Sequence, residues 1–263
     1  MRIGLELRRG HEPADARIAE AHACALVALD VDPGAAFVAG AAVAVATRHV
    51  RIVVPVHLGS DHPVTLAEDL AVLDNLSGGR VVALVDTGTL SVDEAAEDLA
   101  LLRVSLSARP VRHRGARWQV PAGLEGHEAP ESVHVTPKPV QVRLPLWLTG
   151  TAAAGLGAAA LLDEPVLATT PAEVDAAVPV QPAILAVGGS EATLDADRDA
   201  VVALADAGAT HLVLRAADPA LAAPLVSRYL IPEVAMTGFP RVVAEAMLPP
   251  DWPGPARYVT REE

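Results

Sequence analysis

His57 and His62 flank a short loop, HLGSDH, that follows the solidly apolar run VRIVVPV. An imidazole at such a strand end can take and give a proton near neutral pH, which makes His57 a candidate general acid/base; a loop histidine with no catalytic role is the plainer reading. Asp30 and Asp32 follow another apolar run, CALVALD, and Asp86 and Thr87 follow a third, RVVALVD. Asp30, Asp32 and His57 make no convincing metal set, because nothing in their spacing fixes three ligands on adjacent elements. Gly150 and Thr151 open a Gly/Ala-rich helix, TAAAGLGAAALL. Free N–H groups and a hydroxyl at a helix start suit a cofactor phosphate, and a simple Thr N-cap would look the same. Gly188-Gly189-Ser190 could cradle a phosphate too, but Glu191, Asp195 and Asp197 follow at once and favour a plain loop. Cys24, the single cysteine, sits in ACALVAL and reads as a small buried hydrophobe with no disulfide partner.

These residues need elements to hold them. Near-continuous apolar runs occur at 2–7, 24–30, 50–56, 80–86, 144–150, 165–170, 182–188 and 210–216. Continuous rather than alternating apolarity marks strands covered on both faces, as in a parallel sheet. Helix-like stretches lie between them: 13–23 with an early proline, 92–106 with acids first and Arg103 late, 194–209 ending near Gly208, and 219–230. Eight strand–helix units in alternation predict a (β/α)8 barrel, with an open doubly wound sheet as the runner-up. The stretch after the first strand, LRRGHEP, lacks the GxGxxG pattern of a dinucleotide site. In a barrel the residues at the C-terminal strand ends face the site. That set includes Asp30, Asp32, His57, Asp86, Thr87, Gly150, Thr151, Gly188 to Ser190 and Arg215.

Composition narrows the partners. The chain has 263 residues, 51% of them hydrophobic but only 3% aromatic, so its core must be built from Ala, Val and Leu. A net charge of −13 with no basic stripe argues against nucleic acid and against an anionic membrane surface. The N-terminal stretch MRIGLELRRGHEPADAR has no apolar core like that of a signal peptide. The apolar windows 34–47 and 148–162 fall short of the roughly 18–20 residues of a membrane span, so a cytoplasmic protein is expected. One barrel domain is expected over 1–232, with a Pro/Gly/His-rich insertion at 112–144 before the fifth strand. The insertion carries Trp118 and is placed to line the mouth; 233–263 is expected to be a tail packed on the barrel.

The segment DLAVLDNLSGGRVVALV (69–85) stops a helix abruptly and enters a strand. Leu66, Leu70 and Leu73 share one helix face, and Gly78 or Gly79 can turn the chain back at positive φ. With ATRHVRIVVPV (46–56), HPVTLAEDLAVLDNLSGGRV (62–81), Pro137-Lys138-Pro139 and PVQVRLPLWLTGT (139–151), it resembles landmarks of the bacterial luciferase-like oxidoreductases. DAGATHLVLRAAD (206–218) resembles that superfamily's eighth strand, so the likeness spans roughly residues 2–232.

The resemblance implies a (β/α)8 barrel that uses reduced FMN or coenzyme F-420 for hydride transfer or monooxygenation of a small organic substrate. It implies a bulge with a cis peptide at Val54–Pro55 under the cofactor ring, and a phosphate contact at Gly150-Thr151. Thr87 stands where FMN-dependent relatives can carry a phosphate-binding Arg. It also implies a dimer, with itself or with an active homologue, through the helices at 34–47 and 64–77. Two departures stand out: the end of strand two has no histidine, and only VGGSEATL stands where a long lid commonly follows strand seven. The pocket is therefore expected to be open and shallow. A non-catalytic cofactor-binding protein or partner subunit is the alternative.

Overall fold

Strands that are apolar on both sides must be buried on both sides, and the chain achieves this by curling its sheet. In the computed structural model, which describes residues 1–123, 130–149, 153–175 and 180–235, ten strands occur. They are β1 (Arg2–Leu7), β2 (Leu26–Leu29), β3 (Arg51–His57), β4 (Val81–Asp86), β5 (His113–Arg114), β6 (Gln119–Val120), β7 (Leu146–Thr149), β8 (Val166–Leu167), β9 (Pro182–Ala186) and β10 (His211–Arg215). Eight of them form one parallel sheet in the order β8-β7-β4-β3-β2-β1-β10-β9. A bridge between Ala168 and Ala183 brings its two edges together, so the predicted barrel is present and nearly closed. Val27, Ile52, Val54 and Val85 face the helices, whereas Leu26, Ala28, Val53, Val82, Trp147 and Val213 fill the interior. Gly4, between the helix-facing Ile3 and Leu5, lies on the interior side, where a Cβ would come 1.9 Å from the Leu26 carbonyl oxygen.

The helices are α1 (Glu12–Ala21), α2 (Ala36–Ala46), α3 (Pro63–Ser77), α4 (Val92–Leu106), α5 (Ala153–Leu162), α6 (Leu194–Ala207), α7 (Pro219–Leu225) and α8 (Ile231–Ala235). The alternation is not strict. Among the described residues β8 is followed by a single 3-10 turn, Pro171–Glu173, and no α-helix lies between β8 and β9. β8 itself is cut to two residues, because the Thr169 amide donates to Glu173 Oε2 at 2.7 Å.

The abrupt end of α3 has a full account. Gly78 closes the helix at φ 70°, Gly79 follows at φ 83°, and Leu66, Leu70 and Leu73 are buried. Arg80 is more than the start of a strand. Its guanidinium donates to the carbonyls of Ala44, Thr47, Val50 and Ser77, tying the C-terminal ends of α2 and α3 to β3. That places a cation where both helix dipoles are negative. Asp74, fully buried, accepts from the Gln141 amide at 3.0 Å and its side chain at 2.8 Å, so two distant sequence landmarks meet at the N-terminal rim.

The insertion folds as a small antiparallel pair, β5 with β6, clamped onto α4. Glu97 accepts from the backbone amides of Ala116, Arg117 and Trp118 and pairs with His113, while Asp98 holds Arg117 and the Trp118 indole. The expected tail lies outside the described residues beyond position 235.

Candidate functional site

At the C-terminal mouth the inward-pointing strand ends meet. His57 and Asp86 are direct partners in the β3–β4 register, and His57 Nδ1 lies 3.4 Å from Asp86 Oδ2. The other carboxylate oxygen accepts from the Thr149 hydroxyl and the Gly88 amide, each at 3.2 Å. Asp86 is thus anchored from two sides and presents its remaining oxygen to the imidazole. A carboxylate beside Nδ1 favours the tautomer with its proton on that atom, which leaves Nε2 as the proton-exchanging nitrogen. The His57 side chain is 37% exposed, so solvent and a ligand can reach it.

Thr149 also lines a cavity of about 810 Å³ that descends into the barrel past Ala28, Val53, Leu84, Trp147 and Val213. The pocket is therefore deep, correcting the expectation of a shallow one. With few aromatics to fill the interior, small residues such as Ala28 leave space. At its rim Arg215 is bonded to Glu6, with Nη2 2.8 Å from Oε1. A charged pair facing into a barrel occurs here because both groups sit in the last layer before solvent.

The remaining sequence candidates scatter. Asp30 and Asp32 are engaged by Arg9, at 3.2 and 3.0 Å, on the rim. The Val54–Pro55 peptide is not cis, which corrects that expectation: the cis bonds among the described residues are Val120–Pro121 and Thr136–Pro137. Pro55 pairs regularly with Leu84, so β3 carries no bulge there, and Val54 points away from the cavity toward α2. Thr87 is 1% exposed and its hydroxyl is buried without a partner, so it is not presented to the mouth. Gly150 and Thr151 lie outside the described residues. The Gly188 and Gly189 amides donate to the two oxygens of Asp197, each at 3.0 Å, so the loop's own helix fills that cradle. His62 caps α3 through Nδ1 and packs on Trp118 with ring centroids 4.4 Å apart. Burial lowers its pKa, and Trp118 braces α4 instead of lining the cavity.

Sequence reasoning missed Glu6, Arg9 and Thr149. Glu6 carried a signal, since it interrupts the apolar run RIGLEL on the inward-facing side. Thr149 gave none beyond its place at a strand end.

The nearly closed (β/α)8 barrel thus holds a cavity that reaches its C-terminal mouth, where barrels of this fold place their ligands. The sequence profile of the luciferase-like monooxygenases matches residues 14–207, and the chain belongs to that family. No curated protein matches the chain. Among solved structures it is similar to the coenzyme F-420-dependent tetrahydromethanopterin reductase of Methanopyrus kandleri. The TM-score is 0.68 at 14% identity, over 89% of this chain and 99% of that one. It is also similar to the oxygenating constituent of 3,6-diketocamphane monooxygenase from Pseudomonas putida in complex with FMN, with TM-score 0.64, 14% identity, and coverage of 89% and 98%. Monooxygenase RslO1 from Streptomyces bottropensis gives TM-score 0.61 at 18% identity, over 88% and 99%. At these identities the likeness concerns the fold.

Proposed function

We propose that this chain is an oxidoreductase that uses a reduced flavin-type cofactor, FMN or coenzyme F-420, on a small organic substrate. The observation that carries the reading is a cavity inside the barrel whose wall includes Thr149, the residue that bonds Asp86 beside His57 at the same end of the strands. The family supplies the cofactor class. The cavity volume and its apolar wall suit a planar ring system and a compact substrate. The cofactor phosphate has no ready partner among the described residues of the mouth, since Thr87 is buried, Asp197 fills the glycine loop and Arg9 and Arg215 are paired. Gly150-Thr151 is the place assigned to it.

When bound in its reduced form, the cofactor would supply the electrons. The chain's own residues then do the rest. Ala28, Val53, Leu84 and Trp147 pack the ring and substrate and keep water out. His57 Nε2 gives or takes the proton, and Asp86, braced by Thr149, holds the imidazole in the tautomer that allows it. In this reading β3 supplies the imidazole that the end of strand two lacks.

We further propose a homodimer through α2 and α3. Val38, Val45, Val72 and Leu76 on that face are 74%, 78%, 53% and 52% exposed, a patch that a second copy would cover.

A second reading, a cofactor-binding or partner subunit without catalysis of its own, is favoured by the regular trans Val54–Pro55 strand and the buried Thr87. One experiment separates the two. Reduced FMN and reduced F-420 are mixed with the protein and a panel of small carbonyl and alkene compounds, and cofactor oxidation is followed by absorbance. The proposed enzyme accelerates oxidation with some substrate, and His57→Gln slows it by about 10²–10⁴-fold. Rates equal with and without protein across the panel leave the non-catalytic reading.

A further inference from the structure

The opposite, N-terminal pole of the barrel gathers cations that the proposed chemistry does not use. Arg2 begins β1 and Arg51 begins β3, both in phase with the inward residues Gly4 and Val53. His211, the first residue of β10, pairs with Arg2 in register and is 9% exposed. Its Nδ1 lies 3.0 Å from the Thr210 hydroxyl, but its Nε2 is buried with no hydrogen-bond partner. A buried polar nitrogen left alone is costly and uncommon in folded proteins.

The electrostatics point the same way. Burial, then the charges of Arg2, Arg51 and the Met1 amine, push His211 down to about 4. Burial and then Arg2 lower Arg51 as well. Neither arginine has a carboxylate partner among the described residues. Arg51 Nη2 donates to Gln141 Oε1 at 3.0 Å, and Asp74, the carboxylate that acts on Arg51, is already bonded to Gln141 and the Val81 amide. In a chain of net charge −13, whose mouth arginines are all paired, this is an uncompensated cluster.

We propose that the N-terminal pole of the barrel binds a small tetrahedral oxyanion of the phosphate or sulfate type, held by Arg2 and Arg51 beside His211. Two guanidinium groups offer forked N–H donors suited to such an anion. The site is separate from the mouth, because Arg2 and Glu6 are four residues apart on β1, about 13 Å at strand rise. An anion there would relieve the mutual repulsion of the cluster and stabilise the barrel from its N-terminal end.

The test titrates the full-length protein with inorganic phosphate and, separately, with sulfate at ionic strength held constant by sodium chloride. Arginine Nε–H signals and Tm are read together. The expected result is a saturable shift confined to the Arg2 and Arg51 signals and a saturable rise in Tm. Half-saturation moves roughly tenfold or more in Arg2→Gln or Arg51→Gln, the loss of a charge-assisted bond. Arg17→Gln, an exposed change on α1, leaves it unmoved. Should Arg51→Gln not fold, Arg2→Gln alone carries the comparison, since Arg2 is exposed. No saturable shift in the unaltered protein, or an equal rise of Tm in Arg2→Gln, overturns the site.

Discussion

Asp86 touches three groups at once, and substitutions around it should grade accordingly. Asp86→Asn keeps an acceptor near His57 Nδ1 but removes the charge; Thr149→Val removes one of two donors to the far oxygen. Both should lower turnover, Asp86→Asn by more, with cofactor binding kept in each; kcat and Kd measured side by side check this. Equal effects on binding and turnover would instead make the pair structural. At the bottom of the barrel, His211 gives a signed pH effect. Its folded-state pKa of about 4 lies below the ordinary value of 6.5, so on acidification through that window the unfolded chain takes up a proton that the native chain refuses. Its contribution is present above about pH 6.5 and is lost as pH falls toward 4. Denaturant unfolding in phosphate-free buffer should show stability falling over that range, and less steeply in His211→Asn. The place of His57 at a strand end was legible because a lone imidazole ended an apolar run. Its partnership with Asp86 was not, because register between β3 and β4 is set by the pairing of whole strands rather than by either residue.

Two clamps decide how well the elements hold the mouth. Glu97 loses some solvation through burial, yet hydrogen bonds from His113 and the amides of Trp118, Arg117 and Ala116 outweigh that and hold its carboxyl at about 2. A carboxyl held below its ordinary value stabilises the fold above that ordinary value, and the gain is lost as pH falls toward 2. Glu97→Gln should therefore destabilise the protein at pH 7 and narrow its difference from the unaltered chain toward pH 3. Limited proteolysis within 111–120 would report the released hairpin. Arg80→Ala strips donors from four carbonyls and should cost about 2–4 kcal/mol by denaturant unfolding. Helix α4 was readable end to end, from Val92 to Leu106, because its acids come first and Arg103 comes late. The Ser91–Glu94 capping box, which the sequence reading passed over, sharpens that start. The sixth unit was misread for a local reason: PVLATT looks like a strand, but Glu173 captures the Thr169 amide and hydroxyl and ends the pairing.

As a whole molecule, the barrel followed from eight buried strand runs, and its depth did not. An apolar run covered on both faces hides which residues look inward, so the interior set of Leu26, Ala28, Val53, Val82, Trp147 and Val213 needed the register to identify it. The proposed dimer is tested at this scale. Val45→Glu with Val72→Glu adds charge to the exposed face without touching the core, and light scattering should then report monomers where the unaltered protein gives dimers. The central claim, that the cavity receives a flavin-type cofactor, is tested most directly by titrating the protein with FMN and with F-420 and following their fluorescence. The account predicts micromolar binding of one of them, abolished in Ala28→Trp, which fills the inner wall of the cavity. Binding of neither cofactor, or binding unchanged in Ala28→Trp, would contradict it.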